Sequence, residues 1–269
     1  MRGPSRASYA ALRDQLGAVA VSTPTAEQIG DQLFAVVRLL DSEHGLRRAL
    51  ADSGKPSAEK TAVARRLLHG RVSEATEDLV ADAAAAHWAT SGDFADALEE
   101  LAIESLTMAA QYGGTLDDLE DDLFRFARLV SGQTGLRAAL IGPTTPDAKT
   151  SLLESLLSDK VSGPSLSLIT QVLTHPRGRS PQAVLDLAAG IAARRRQQLI
   201  AVVRAATELS VAQRRRLLDT LTAAYGQGIH LNVVHDPAVM GGVSVQIGDE
   251  LIDGTAASRL AAVRRRLTS

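Results

Sequence analysis

The side chains in this sequence best suited to chemistry are few and do not converge. His235 stands beside Asp236, with His230 earlier on the same alternating run. A nucleophilic or zinc centre at that pair would need a third converging group, and the chain has neither an H-E-x-x-H spacing nor any cysteine. The missing cysteines also exclude disulfides and thiolate ligands. Gly241 and Gly242 invite comparison with a phosphate cradle, but such a loop leads from a strand into a helix and is followed by Lys-Ser or Lys-Thr. Here a strand-like alternation follows, so DPAVMGG reads as a turn in which Asp236 and Pro237 end one strand and the glycines permit positive φ. The acids Asp117, Asp118, Glu120, Asp121 and Asp122 lack the alternate spacing and central glycine of a calcium loop. They open a helix, where the dipole favours carboxylates without an ion. The residues therefore predict no catalytic group, no cofactor and no metal.

The charge pattern is uneven although the net charge is only -2. Asp93 to Asp122 is acidic without a base, whereas the region after Ile191 is basic, with triplets Arg194–Arg196, Arg214–Arg216 and Arg264–Arg266. These triplets raise nucleic-acid binding as an alternative, yet Tyr225 is the one aromatic of that region, too few for a stacking platform. Solvated helix faces are the simpler reading. No stretch approaches eighteen uninterrupted apolar residues and the N-terminus lacks a secretory core, which predicts a soluble chain that reaches a membrane only through partners.

The elements that position these residues are mostly helical. Apolar residues make up 45% of the chain but aromatics only 3%, so Ala, Leu and Val must build the core, which favours close helix packing. A repeat is visible: VVRLLDSEHGLRRAL from Val36 aligns with FARLVSGQTGLRAAL from Phe126, ninety residues on. After a one-residue slip, the segment from Pro56 aligns with that from Pro146, and RVSEATEDLV at Arg71 with KVSGPSLSLI at Lys160. Gly45, Gly54 and Pro56 punctuate the first copy; Gly135, Gly142, Pro143 and Pro146 punctuate the second. Leu33, Val36, Val37 and Leu40 form an apolar stripe in one copy, and Leu119, Leu123, Phe126 and Leu129 in the other. Trp88 is expected to pack in the core on a helix ending at Gly92.

A long helix from Ser180 to Gln197 leads into a region of different character. Gln198 to Ala205 is a β-branched run, Ser210 caps a helix stopped by Gly226, and the stretches from Gly228 and Gly242 alternate as paired strands before helical spacing returns from Thr255 to Leu267. The expected fold is mainly α with a small α+β C-terminal domain. Residues 1–114 and 115–197 form two tandem helical-bundle units, and 198–269 form a βαββα module.

The C-terminal pattern resembles the ATP synthase delta family, which includes the mitochondrial oligomycin sensitivity-conferring protein. The resemblance rests on Leu209, Ser210, Gln213, Leu217, Leu221, Gly228, Asp236, Pro237, Met240, Gly241, Gly242, Val245, Ile247, Gly248, Ile252, Asp253, Gly254, Arg259 and Leu260. Upstream, LLESLL and the PRGRS of Pro176 to Ser180 are similar to the family's six-helix N-terminal domain, and the first copy resembles the duplication in enlarged members from high-GC Gram-positive bacteria.

That resemblance implies a non-catalytic stator subunit at the cytoplasmic face of the cell membrane. Its helical part would take the N-terminal helices of alpha subunits, and its C-terminal domain the end of the b subunit. An amphipathic helix could enter a groove between the first and fifth helices of a unit, lined by Tyr9, Leu12, Leu16, Leu79 and Ala83 or, in the second copy, Leu168 and Val172. Ser210, Gln213, Asp236, Pro237, Gly241, Gly242, Gly248, Asp253 and Gly254 would define turns and caps, not chemistry. The alternative is a helical adaptor with an RNA- or nucleotide-binding C-terminal module.

Overall fold

A computed structural model describes residues 3–142, 144–196, 199–207, 209–226, 229–237, 239, 241–247 and 250–253. The chain divides into two compact units, Met1–Arg195 and Arg196–Ser269. The helical unit contains α1 (Pro4–Val19), α2 (Thr23–Ser42), α3 (His44–Ala51), α4 (Ser57–Leu68), α5 (Glu74–Ala85), α6 (Ser91–Tyr112), α7 (Leu116–Gly132), α8 (Thr134–Ile141), α9 (Pro146–Leu157), α10 (Gly163–Thr174) and α11 (Pro181–Arg196).

The repeat seen in the sequence is a repeat of structure. Helices α3 and α8 have 8 residues each, while α4, α5, α9 and α10 have 12 each. Ser73 caps α5 by accepting from the Thr76 amide, as Ser162 caps α10 by accepting from that of Ser165. Each cap is held by the second helix of its own copy. Gln32 Oε1 accepts from the Ser73 amide at 3.0 Å, and Asp122 Oδ2, ninety residues on, accepts from the Ser162 amide at 3.2 Å. Asp122, expected on an acidic face, is thus a buried acceptor inside the second copy.

The two copies are not separate bodies. One core runs from Leu12 to Ala192, and α6 lies within it, with every residue from Leu101 to Ala110 buried. A helix buried around its circumference must be covered from several sides. Helix α6 packs on α1, α2, α3 and α5 of the first copy and on α7 and α10 of the second. As α1 packs on α5, so α6 packs on α10: it closes the first bundle and opens the next. The division at residue 114 therefore falls after a helix both halves need. Close approach of α2 to α6 is allowed by Gly30, where a Cβ would come within 2.8 Å of Leu106. Trp88 is buried as expected but stands in the connection between α5 and α6, its indole N–H donating to the Ala83 carbonyl at 2.7 Å. Gly92 lies in the first turn of α6 and ends no helix.

The second unit contains β1 (Leu199–Ala205), α12 (Val211–Tyr225), β2 (Ile229–His235), β3 (Val243–Ile247) and β4 (Glu250–Asp253). The sheet order is β2-β1-β3-β4, with β1 parallel to β2 and antiparallel to β3. Helix α12 makes the crossover that a parallel pair requires. Ala201 and Val203 alternate onto the same core as Leu221 of α12, joined by Ile229, Val245 and Ile247, and Ala205 is also buried. The stretch from Gly242, expected as one partner strand, folds into the hairpin β3–β4, with Ile247 opposite Glu250 and Ser244 opposite Asp253. The helix expected over 255–267 lies outside the described residues.

Candidate functional site

The residues expected to line a docking groove are packed inward. Leu12 is 3% exposed, and Leu16, Leu79, Ala83, Leu168 and Val172 are fully buried. Tyr9 is partly buried against the same core. Burial, reinforced by Glu104 and Glu100, raises its phenol far above the ordinary value. The apolar stripe of each helix fills its own bundle, so in this structure these seven side chains hold α1 to α5 and α10 to its neighbours and do not form an open groove.

Polar groups from the two copies meet at α2, α6 and the connection after α10. Arg177 has φ 53, a left-handed conformation unusual for a residue other than glycine. Its Nε donates to Asp41 of α2 at 2.7 Å, and its Nη1 donates to Asp96 and Glu99 of α6 at 2.7 and 2.9 Å. Arg179 pairs with the same Glu99. Burial works against the charge on Arg177, but the carboxylates of Glu99, Asp41 and Asp96 outweigh it and hold its pKa above the usual arginine value. Nearby, Arg38 Nη1 donates to Gln171 Oε1 of α10 at 2.9 Å, and Gln171 Nε2 donates to Asp31 at 3.4 Å. The sequence offered PRGRS as a family feature without revealing this junction, because its acids lie far away in sequence.

His175 sits beside this junction, its Nδ1 3.0 Å from Thr174 Oγ1. Burial and the positive charges of Arg38 and Lys149 hold its pKa below the ordinary value, despite Asp41. The unfolded chain therefore takes up a proton near pH 6.5 that the folded chain still refuses, and stability falls as pH drops through that window. Wild type is expected to lose more stability than His175→Gln between pH 7.5 and 5.5, measured as the shift in denaturant midpoint; equal losses would show that His175 is not the titrating group.

Exposed apolar side chains include those of a cleft in the helical unit and some on the sheet unit. Phe124 of α7 is 59% exposed under the Arg128 guanidinium, 5.9 Å from the ring centroid. With Ala127, Ser131, Gln182 and Asp186 they line a cleft of about 390 Å³ between α7 and α11. In the sheet unit Leu251 of β4 is 60% exposed and Val211 of α12 is 85% exposed.

The expected turn residues take up local structural roles. Ser210 accepts from the Gln213 amide and the Gln213 side chain accepts from that of Ser210, a reciprocal capping box. The Asp236 amide donates to the Ala205 carbonyl at 2.9 Å, fixing the end of β2 against β1, and Pro237 follows in the turn. Gly241 and Gly242 have φ 66 and 84, where a side chain would be strained. Asp253 ends β4. Gly228, Met240, Gly248, Gly254, Arg259 and Leu260 lie outside the described residues, as do the side chains of His230, His235 and Asp253. The basic triplets are not uniform solvated stripes: Arg195 is buried, donating to Gln111 at 2.7 Å near Glu104, while Arg194 and Arg196 are exposed. Arg264–Arg266 lie outside the described residues. Among the described residues no group of three acidic or histidine side chains is placed to hold a metal ion.

Comparison with known proteins decides the family. The model for the ATP synthase delta (OSCP) subunit matches residues 94–267, starting inside α6. The chain belongs to the ATP synthase delta (OSCP) family. Proteins named ATP synthase subunit delta from Streptomyces griseus subsp. griseus and Thermobifida fusca are each 44% identical to it, over 99% of this chain and of theirs. The one from Acidothermus cellulolyticus is 43% identical over the full length of both. A chain in the Toxoplasma gondii mitochondrial ATP synthase hexamer has 14% identity over 62% of this chain and 95% of that one, with a TM-score of 0.28. Delta-family membership makes this a structural stator subunit of the F-type complex, acting in its peripheral stalk, and not a catalytic subunit. The family match starting in α6 agrees with that helix opening the second bundle.

Proposed function

We propose that this delta-family chain joins the catalytic head of an ATP synthase to its peripheral stalk, with the helical unit receiving N-terminal helices of alpha subunits and the sheet unit receiving the C-terminal end of b. The observation behind this reading is that one chain carries two units, each with its own core and its own exposed apolar side chains. Two tethers on one chain raise each other's effective concentration, so modest contacts can hold under load. Leu251 and Val211 offer apolar contact on the second unit, and exposed Arg215 and Arg216 of α12 suit an acidic partner. The complex would lie at the cytoplasmic face of the cell membrane, reached through partners; no helix among the described residues is long and apolar enough to cross a membrane.

The test is a titration of the full chain with an alpha N-terminal peptide and a b C-terminal segment, separately and together. Both are expected to bind without competing. The b contact should weaken as salt rises from about 0.1 to about 1 M, over which the screening length falls from about 10 to about 3 Å. Mutual exclusion of the two ligands would overturn the two-site reading, and salt-independent b binding would replace the charge contact with apolar packing.

A further inference from the structure

We propose that the cleft between α7 and α11 is a second helix-docking site, shaped for the C-terminal end of a partner helix that carries a carboxamide and, six residues later, a cation. The duplication supplies the argument, and it does not depend on what the rest of the chain binds. Asp31, Phe34 and Arg38 of α2 recur ninety residues on as Asp121, Phe124 and Arg128 of α7. Asp96 of α6 recurs as Asp186 of α11.

In the first copy this surface is occupied. Arg38 and Asp31 grip the two ends of the Gln171 carboxamide near the end of α10, and Asp96 receives Arg177 from the connection that follows. Phe34, on α2 between Asp31 and Arg38, is 4% exposed. In the second copy the equivalent Phe124 is 59% exposed, and the space above it is the cleft. Of the groups that hold α10 and Arg177, Asp31, Arg38 and Asp96 recur there, whereas Asp41 and Glu99 become Ser131 and Ala189. Arg128 lies over Phe124, Asp121 pairs with Arg125 on the surface at 3.1 Å, and Asp186 accepts from Gln182 at 2.7 Å. Each of these exposed contacts can be exchanged for a partner group at small cost.

The chemistry of the occupied surface defines what the cleft would take. A carboxamide can accept from Arg128 and donate to Asp121, while an arginine or lysine after the helix end can meet Asp186, where the first copy places Arg177. A second copy of this chain does not fit, because its own α10, which carries the pattern, is already held by Arg38, Asp31 and Asp96 of the same chain. Its first-copy residues aligned with Gln171 and Arg177 are Asp82, whose carboxylate already accepts from Gln15, and buried Trp88. The occupant is therefore a helix of another polypeptide.

A side-chain-stapled peptide of residues 163–180 of this chain, its helicity checked by circular dichroism, carries the required pattern and serves as the probe for the full-length protein. It is expected to bind in a saturable manner, and Phe124→Ala or Arg128→Ala in the protein, or Gln171→Leu in the peptide, should each weaken binding about tenfold, as loss of one charged hydrogen bond or one buried ring implies. Both protein substitutions are at exposed positions, and unchanged melting temperatures would confirm intact folds. Absence of binding by the helical peptide would overturn the proposal. So would binding lost with Arg38→Ala but not with Phe124→Ala, because the peptide would then be displacing the chain's own α10.

Discussion

Leu79→Asp is expected to prevent the helical unit from folding. Leu79 is fully buried among α1, α5 and their neighbours. Truncating such a leucine costs about 2–5 kcal/mol, and a carboxylate in the same place adds the cost of desolvating a charge. The total rivals the whole stability of an ordinary domain, about 5–15 kcal/mol. Loss of the cooperative thermal transition in circular dichroism is the expected readout, whereas Leu79→Met should cost less than about 1.5 kcal/mol. From sequence alone the same substitution, paired with Leu12→Asp, is expected to weaken partner binding and spare the fold; burial reverses that expectation. A cooperative melt within a few degrees of wild type would mean that the seam between α1 and α5 opens to water, and would restore it as a docking groove.

Arg177→Ala is expected to cost about 3 kcal/mol, the lower end of the about 3–5 kcal/mol seen when one partner of a buried ion pair is removed. The lower end applies because Arg179 still reaches Glu99, and Asp96 is about half open to water. Arg177→Gly should cost about 1 kcal/mol less than alanine, since glycine adopts the left-handed backbone at this position without strain. Chemical denaturation of both variants measures the difference. Equal, small losses would show that the Arg177 junction contributes little to holding the two copies together.

Much of the helical punctuation could be read in advance because short polar side chains do local work. Ser210 satisfies an amide in the first turn that follows and the Gly226 αL backbone ends α12, so these boundaries depend on neighbours a few residues away; Ser73 and Ser162, not singled out in the sequence, cap their helices in the same way. The repeat was legible for the same reason. What the sequence concealed is non-local. Periodicity shows that Leu79 and Ala83 share a face with each other, but not that α1 covers it. Asp117 to Asp122 read as acids at the start of a helix, within a stretch acidic from Asp93, yet Asp122 receives an amide from the start of α10 and Glu99 receives two arginines from beyond it. Trp88 was assigned to the right environment and the wrong element, since burial follows from its size whereas the break after Ala85 carries no proline or glycine. The turn glycines Gly241 and Gly242 were legible through their pairing with Asp236 and Pro237.

Helix α6 gives the duplication a mechanical meaning. Two bundles joined by a linker would behave as two stiff bodies with a spring between them. Here the joint is a continuous helix of 22 residues, about 33 Å long at about 1.5 Å per residue. Strain entering one bundle can pass to the other along backbone hydrogen bonds and covalent bonds, besides the packed surface the two share. The first copy is joined to the second without a compliant linker between them.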